Sequence, residues 1–450
     1  MRHALPFLAP FSALLAACGG GGGGGGAPPI VVTSLTASPT FFAPGDSVLL
    51  LPTFPDGTAR IDPDVGPVAS GSSYRVGPTI VAKSYTLTVT TASGTETKVL
   101  DVPFRYRERV RELPPSSIER TRHGATLLAD GRVLMVGGSA PGPQFWSNAE
   151  VFDPVTAAFA PVGDLSRGRA ECGAIALADG GVLALGGVTN SATFLEATRI
   201  ERWDPAALGW SIVGNLACNR DAVTLSELPG DRVLIVGGFV AGGTATDRDA
   251  EIWEPGTGVR APIGEAMHVR AGHTATTLAS GLVWIAGGVD VTTGTVIATT
   301  EFFDPATETF APGPALLHPR TLHTAVPVDG GVLIVGGEDA GSPIAAAEML
   351  VTASGALEEA GSAAIARTFA RAVRLADGRV LAVGGVGAGN TTTDRLETWD
   401  PATRAWTPWA ARLPSPRTGH SMHTLPGGRV VVLGGDNGNA FPQPTCYVID

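Results

Sequence analysis

The chain has 450 residues, 44% hydrophobic and 16% charged, a balance that supports one or more buried cores and excludes a wholly disordered protein. Outside one glycine tract, its 60 glycines and 35 prolines are spread along the sequence as turn-rich β folds require. A formal net charge of -11 offers no clustered basic surface for phosphates, which excludes nucleic acid as an expected partner, and four cysteines without a C-x-x-C pair give neither a disulfide scaffold nor a zinc or redox motif.

In chain order, Arg2 and His3 precede an apolar run from Ala4 to Ala17, the length of a signal-peptide core and too short to span a bilayer. Residues 1–17 are therefore expected to direct export. The run ends in Leu15-Ala16-Ala17-Cys18, which resembles the lipobox of bacterial lipoproteins. That resemblance implies that Cys18 is acylated and becomes the new N-terminus; the alternative is an ordinary small-residue cleavage site. Gly19, rather than Asp, follows Cys18, so the resemblance implies placement at the outer membrane, held by lipid alone. Residues 18–29, with the unbroken Gly19 to Gly26 run, read as a flexible tether.

Residues 30–104 carry strand-like runs such as Ser47 to Leu51, Tyr85 to Val89 and Lys98 to Val102 between turn sequences, as in Pro44-Gly45-Asp46 and Pro55-Asp56-Gly57. Tyr85, Leu87 and Val89 alternate with polar neighbours, the period of a half-buried strand. The segment resembles a bacterial immunoglobulin-like β-sandwich, without the cysteine pair or tryptophan of antibody domains.

From Arg120 onward the chain repeats. An apolar, β-branched run ends in a diglycine seven times: Gly137-Gly138, Gly186-Gly187, Gly237-Gly238, Gly287-Gly288, Gly336-Gly337, Gly384-Gly385 and Gly434-Gly435. The first glycines lie 49, 51, 50, 49, 48 and 50 residues apart. An acidic-aromatic run follows each of most diglycines: Glu150 to Pro154, Glu201 to Pro205, Glu251 to Pro255, Glu301 to Pro305 and Glu397 to Pro401. The fifth unit has Glu348-Met349-Leu350-Val351 with no aromatic, which predicts a more loosely packed element there.

This period and diglycine resemble kelch repeats, one four-stranded blade per unit. The expected fold is all-β: a seven-bladed kelch-type β-propeller over residues 105–450, preceded by the small immunoglobulin-like β-sandwich. The last unit runs out after its third strand at Tyr447 to Asp450, and the surplus segment 105–111 is expected to close the last blade as its fourth strand.

Four units open with Arg-x-x-His: Arg120 and His123, Arg270 and His273, Arg320 and His323, Arg417 and His420. Recurrence once per blade favours a structural role, such as pairing of the arginine with the repeated glutamate, over a metal site. Cys172 occupies the histidine slot of the second unit, and a disulfide with Cys218 is expected as a possible pairing in an oxidising compartment. Kelch propellers include galactose oxidase, whose copper centre uses two tyrosines, one crosslinked to cysteine, and two histidines. Here Tyr106 and Tyr447 are both expected in outer strands of one blade, so that resemblance is not carried to a copper-radical oxidase and no cofactor is assigned.

The loops after each diglycine are the most individual part of the repeats, and they supply the candidate ligand-binding residues Phe145, Trp146, Phe194, Phe239, Asp290, Asp339, Asp436 and Phe441. Their competing reading is that they anchor their own loops. The expected function is a lipid-anchored, monomeric extracytoplasmic scaffold that presents a propeller face to a carbohydrate or an envelope protein. The alternative is a carbohydrate-active kelch enzyme of the epimerase or lyase kind.

Overall fold

In the computed structural model, residues 34–140, 144–189, 198–240, 250–260, 266, 268–438 and 442–450 are described. Contacts divide them into two compact units: 34–37, 49–74 and 84–101 form one; 38–48, 75–83 and 102–450 form the other. Stretches 38–48 and 75–83, inside the segment expected to be a separate domain, thus group with the repeats. Cys18 and the tether lie outside the described residues.

The first unit is built on two sheets. One orders Ser34–Ser38, Val48–Thr53 and Tyr74–Val76; the other orders Gly66–Val68, Thr58–Asp62, Lys83–Thr91 and Gly94–Val102. The period-two pattern behaves as its chemistry demands: Tyr85, Leu87 and Val89 are fully buried with Leu50 and Ile61.

In the second unit, seven antiparallel four-stranded sheets occur among the described residues. Their innermost strands are Gly124–Leu127, Gly173–Ala176, Thr224–Leu228, Thr274–Thr277, Thr324–Val328, Arg371–Arg374 and Ser421–Thr424. Each touches the next, and the last touches the first. The unit is a closed seven-bladed β-propeller. Second strands such as Val133–Val136 and Val430–Leu433 are buried at every position, which is why they read as unbroken apolar runs.

The seventh blade takes its outer strand from Val110–Leu113, paired antiparallel with Cys446–Ile449 in the register Leu113 to Cys446 and Val110 to Ile449. Arg109 and Asp450 extend the ladder by two backbone hydrogen bonds of 3.1 Å. The closing strand therefore sits later than the 105–111 expected. Residues 105 and 106 have other work: the Arg105 N–H donates to the Phe42 carbonyl, and the Tyr106 hydroxyl donates to the Gly428 carbonyl at 2.5 Å.

The diglycines explain the ring's continuity. Both glycines of each pair have positive φ, 67° and 98° at Gly137 and Gly138, and a Cβ on Gly137 would collide with the Arg169 carbonyl of the next blade. The second glycine instead donates its N–H to that next arginine's carbonyl, from Gly138 to Arg169 at 2.8 Å and finally from Gly435 back to Arg120 at 2.8 Å. The same bond joins all seven blade pairs.

Apolar cores lie between blades. A third-strand aromatic of one blade packs against a second-strand leucine of its predecessor: Trp203 with Leu134, Trp253 with Leu183, Phe303 with Leu234, Trp399 with Leu333. In the fifth blade Leu350 takes the aromatic's place, but the facing leucine is replaced by Trp284, fully buried against it. This exchange corrects the expectation of a loose fifth blade: its four strands are complete and Met349 is buried. Ile449 fills the aromatic place of the seventh blade, where Tyr106 and Trp409 supply the missing bulk.

Candidate functional site

The arginine that opens each unit is completely or almost completely buried. Its guanidinium meets the repeated glutamate: Arg120 and Glu150 at 3.1 Å, Arg169 and Glu201 at 2.9 Å, Arg220 and Glu251 at 3.0 Å, Arg270 and Glu301 at 2.5 Å, Arg320 and Glu348 at 2.8 Å, and Arg367 with Glu397. Nη1 also donates to the first glycine's carbonyl, as from Arg320 to Gly336 at 2.7 Å. The second carboxylate oxygen accepts a backbone N–H just upstream of the arginine, as Glu348 does from Leu317 at 2.6 Å. This shared set of bonds ties first, second and third strands together and accounts for the motif without a ligand. The seventh blade lacks the glutamate; Arg417 donates instead to the Tyr447 hydroxyl at 2.9 Å, its guanidinium 5.1 Å from that ring's centre.

The histidines three residues later are buried and point sideways. His273 Nε2 lies 2.8 Å from Thr224 Oγ1, His323 Nε2 2.9 Å from Thr274 Oγ1, and His123 Nε2 2.9 Å from Ser421 Oγ. Each partner hydroxyl stands on the preceding blade's inner strand, four residues after its arginine. Burial, with Arg270 adding repulsion, pushes His273 down to about 3.

Between the arginine and histidine slots lies a residue that the motif leaves unspecified. Arg122, Glu171, Ala222, Gly272, Leu322, Phe369 and Gly419 all occupy this place, and all have φ between 51° and 63°. Five are not glycine, a strained choice for residues with a Cβ. Five of the N–H groups donate to the matching carbonyl of the preceding blade, from Arg122 to Gly419 at 2.9 Å, Glu171 to Arg122 at 2.8 Å, Ala222 to Glu171 at 3.4 Å, Leu322 to Gly272 at 2.8 Å and Phe369 to Leu322 at 3.2 Å. Matching positions linked blade to blade must encircle the axis, so these residues rim one mouth of the channel.

The rim is uneven. Arg122 and Glu171 pair at 2.8 Å, and Asp221, beside them, is lifted to about 6 by burial and by the Glu171 charge. Phe239, 45% exposed, pairs in register with Asp221, and Phe369 on the rim is 48% exposed. Inside the channel, Arg371 is solvent-accessible on an inner strand, with His420 and His423 beside it.

The loop residues expected to bind ligand separate into two groups. The Trp146 indole donates to the Glu119 carbonyl at 2.9 Å, and Phe145 bridges Ser139 on its own loop. Asp436 is buried and accepts from the Thr121 hydroxyl at 2.8 Å, fastening the seventh blade to the first. Asp290 accepts from Thr292 and Thr293 in its own turn. These four are loop anchors. Phe239 and Asp339 remain exposed, while Phe194 and Phe441 lie outside the described residues. Sequence reasoning missed the rim and Arg371; for Arg371 the signal was a charged residue where its six counterparts are glycine, threonine or serine.

No bond joins Cys172 to Cys218. Cys172 is a free, buried thiol whose Sγ lies 3.8 Å from the Val136 carbonyl, so it faces the first blade rather than the third. Cys218 precedes its unit's arginine by two residues whereas Cys172 follows its own by three, so the two are not at corresponding positions of their blades.

No protein-family model matches the chain, and neither does any curated protein. Among solved structures, a fungal alcohol oxidase of the AA5 family with catalytic diversity, in complex with copper, aligns with TM-score 0.60 and 16% identity over 76% of this chain and 75% of that one. The likeness is one of fold. Among the described residues no group of three His, Cys, Asp or Glu could hold a metal. Tyr106 and Tyr447 are buried where the sixth and seventh blades meet, their hydroxyls bound to Gly428 and Arg417.

Proposed function

We propose that this chain is an exported kelch-type propeller, anchored by lipid at Cys18 and spaced from the membrane by its glycine tether and an immunoglobulin-like domain, that binds a saccharide at the channel mouth. The rim carries this reading. Arg122, Glu171 and Asp221 offer charged and hydrogen-bonding groups beside the exposed ring of Phe239, and Phe369 adds a second exposed ring at the sixth blade's place on the rim, the combination of polar contacts and aromatic platforms that sugars require. Strained backbone at five rim positions supports it further, since such strain concentrates where side chains must be presented.

The test is a glycan array on the purified protein, with bound glycans then analysed for chemical change. Phe369→Ala and Phe239→Ala should each weaken binding about tenfold, the worth of an aromatic contact. A rim that binds nothing, or binds equally after both substitutions, refutes the reading. One observation favours catalysis as a second reading: a carboxyl lifted to about 6 beside a second carboxylate is a suitable general acid or base near neutral pH. Altered glycans, with alteration but not binding lost in Asp221→Asn, would replace the module by an enzyme.

A further inference from the structure

The position four residues after each arginine is Gly124, Gly173, Thr224, Thr274, Thr324 and Ser421 in six blades. In the sixth blade it is Arg371. Where the histidine slot is filled and the preceding blade supplies a hydroxyl, histidine Nε2 and hydroxyl bond, as His123 does with Ser421. His420 looks toward the sixth blade and finds a guanidinium instead. Both of its ring nitrogens are without a partner, although the residue is 1% exposed.

Nothing in the surroundings neutralises this cation. Among the described residues Arg371 has no ion pair; its Nε donates to the His420 carbonyl at 3.2 Å, and its terminal nitrogens are uncommitted. His423, two residues beyond Ser421 on the adjoining inner strand, has Nε2 unpartnered. The charges that act on His123, His420 and His423 come from Arg120, Arg371, Arg417 and one another, all of them bases. A guanidinium open to the channel with its terminal nitrogens uncommitted, beside buried imidazole nitrogens that have no partner, offers a set of donors that a small anion would satisfy. Its planar fork of donors matches two oxygens on one carbon.

We propose that the channel binds a small carboxylate between the Arg371 guanidinium and the imidazoles of His420 and His423. The carboxylate accepts from the two terminal nitrogens of Arg371, and the unpartnered nitrogens of His420 and His423 donate to its outer lone pairs. This site lies within the channel and does not rest on saccharide binding at the rim. The carboxylate can arrive free or as part of a sugar acid, and the two sources share this chemistry.

The experiment is calorimetric titration of the full-length protein in Tris chloride at constant ionic strength, with acetate, glucuronate and phosphate as separate probes. Saturable one-to-one binding of acetate or glucuronate is expected, weakened at least about tenfold in Arg371→Gln. Acetate alone would identify a free small acid as the ligand, and tighter glucuronate a sugar acid; both support the site. Arg371→Thr restores the hydroxyl that the other blades offer to their histidines. It should fold, bind neither carboxylate, and melt no lower than the parent in Tris chloride. Failure of both carboxylates to bind, phosphate binding in their stead, unchanged binding in Arg371→Gln, or a lower melting point for Arg371→Thr would each overturn the proposal.

Discussion

The exchange between Trp284 and Leu350 permits a test of whether neighbouring blades share one core. Replacing Trp284 by Leu restores the residue type found at Leu134, Leu183, Leu234 and Leu333, yet here it faces Leu350 rather than an aromatic, and a cavity must open. Truncations of this kind in a rigid core cost about 2–5 kcal/mol, and Trp284→Leu, which retains part of the bulk, falls near the lower end, at about 2–3 kcal/mol. Leu350→Phe alone overfills the space against the intact indole, at a cost of about 1–3 kcal/mol. Together the two changes recreate the pairing of Leu234 with Phe303 one blade earlier. The double variant should therefore lose less than either sum predicts, with a favourable coupling of about 2 kcal/mol. Urea unfolding followed by circular dichroism for the parent, both single variants and the double variant closes the cycle. Additivity within about 0.5 kcal/mol would refute the shared core, because independent blades have no reason to exchange bulk across their boundary.

Two further outcomes follow from the buried charges. His123, His273, His323, His420 and His423 all lie below the ordinary histidine value of 6.5, first because burial disfavours their charged forms, with His273 at about 3 and His423 at about 4. The unfolded chain then binds protons that the native state refuses, so stability is full above about pH 6.5 and falls as pH drops below it, by about 1.4 kcal/mol per pH unit for each such histidine. Urea midpoints between pH 7 and pH 4.5 should fall steeply, and more gently in His273→Gln; a flat profile would contradict the burial of these rings. Among the arginine pairs, Glu348→Gln should destabilise by about 3 kcal/mol, since it leaves a buried guanidinium without its counter-charge. Tyr447→Phe should cost only about 1 kcal/mol, the loss of one hydrogen bond; equal losses in thermal melts would show that the carboxylates are not what holds these arginines.

The diglycines and the arginine-glutamate pairing were visible in the sequence because each recurs at a fixed spacing, and a repeated requirement for positive φ or a buried counter-charge leaves a repeated residue. The rim at Arg122, Glu171 and Phe369 left no such trace. What those positions share is a backbone conformation, which glycine, alanine, leucine and arginine all adopt there, so residue type carries no signal. Trp146 and Asp436 drew attention for the opposite reason. Aromatic and acidic residues in variable loops suggest a ligand, but here they hydrogen-bond to the Glu119 carbonyl and the Thr121 hydroxyl, contacts of 27 and 315 residues' separation that no local pattern discloses.

A sevenfold repeat supplies its own reference, because each position has six counterparts that meet the same packing demands. Departures from it fall into two kinds. Leu350 is answered by Trp284, Ile449 by Tyr106 and Trp409, and the absent seventh glutamate by Tyr447, so these keep the fold whole and imply nothing more. Arg371 and Phe369 are not answered within the described residues: one leaves its own terminal nitrogens and the His420 ring nitrogens without partners, and the other holds an apolar ring in solvent on strained backbone. Stability alone would favour a small hydroxyl residue at 371, as at Thr324 and Ser421, and glycine at 369, as at Gly419. An uncompensated cost at the axis, where every blade converges, is where a binding function belongs.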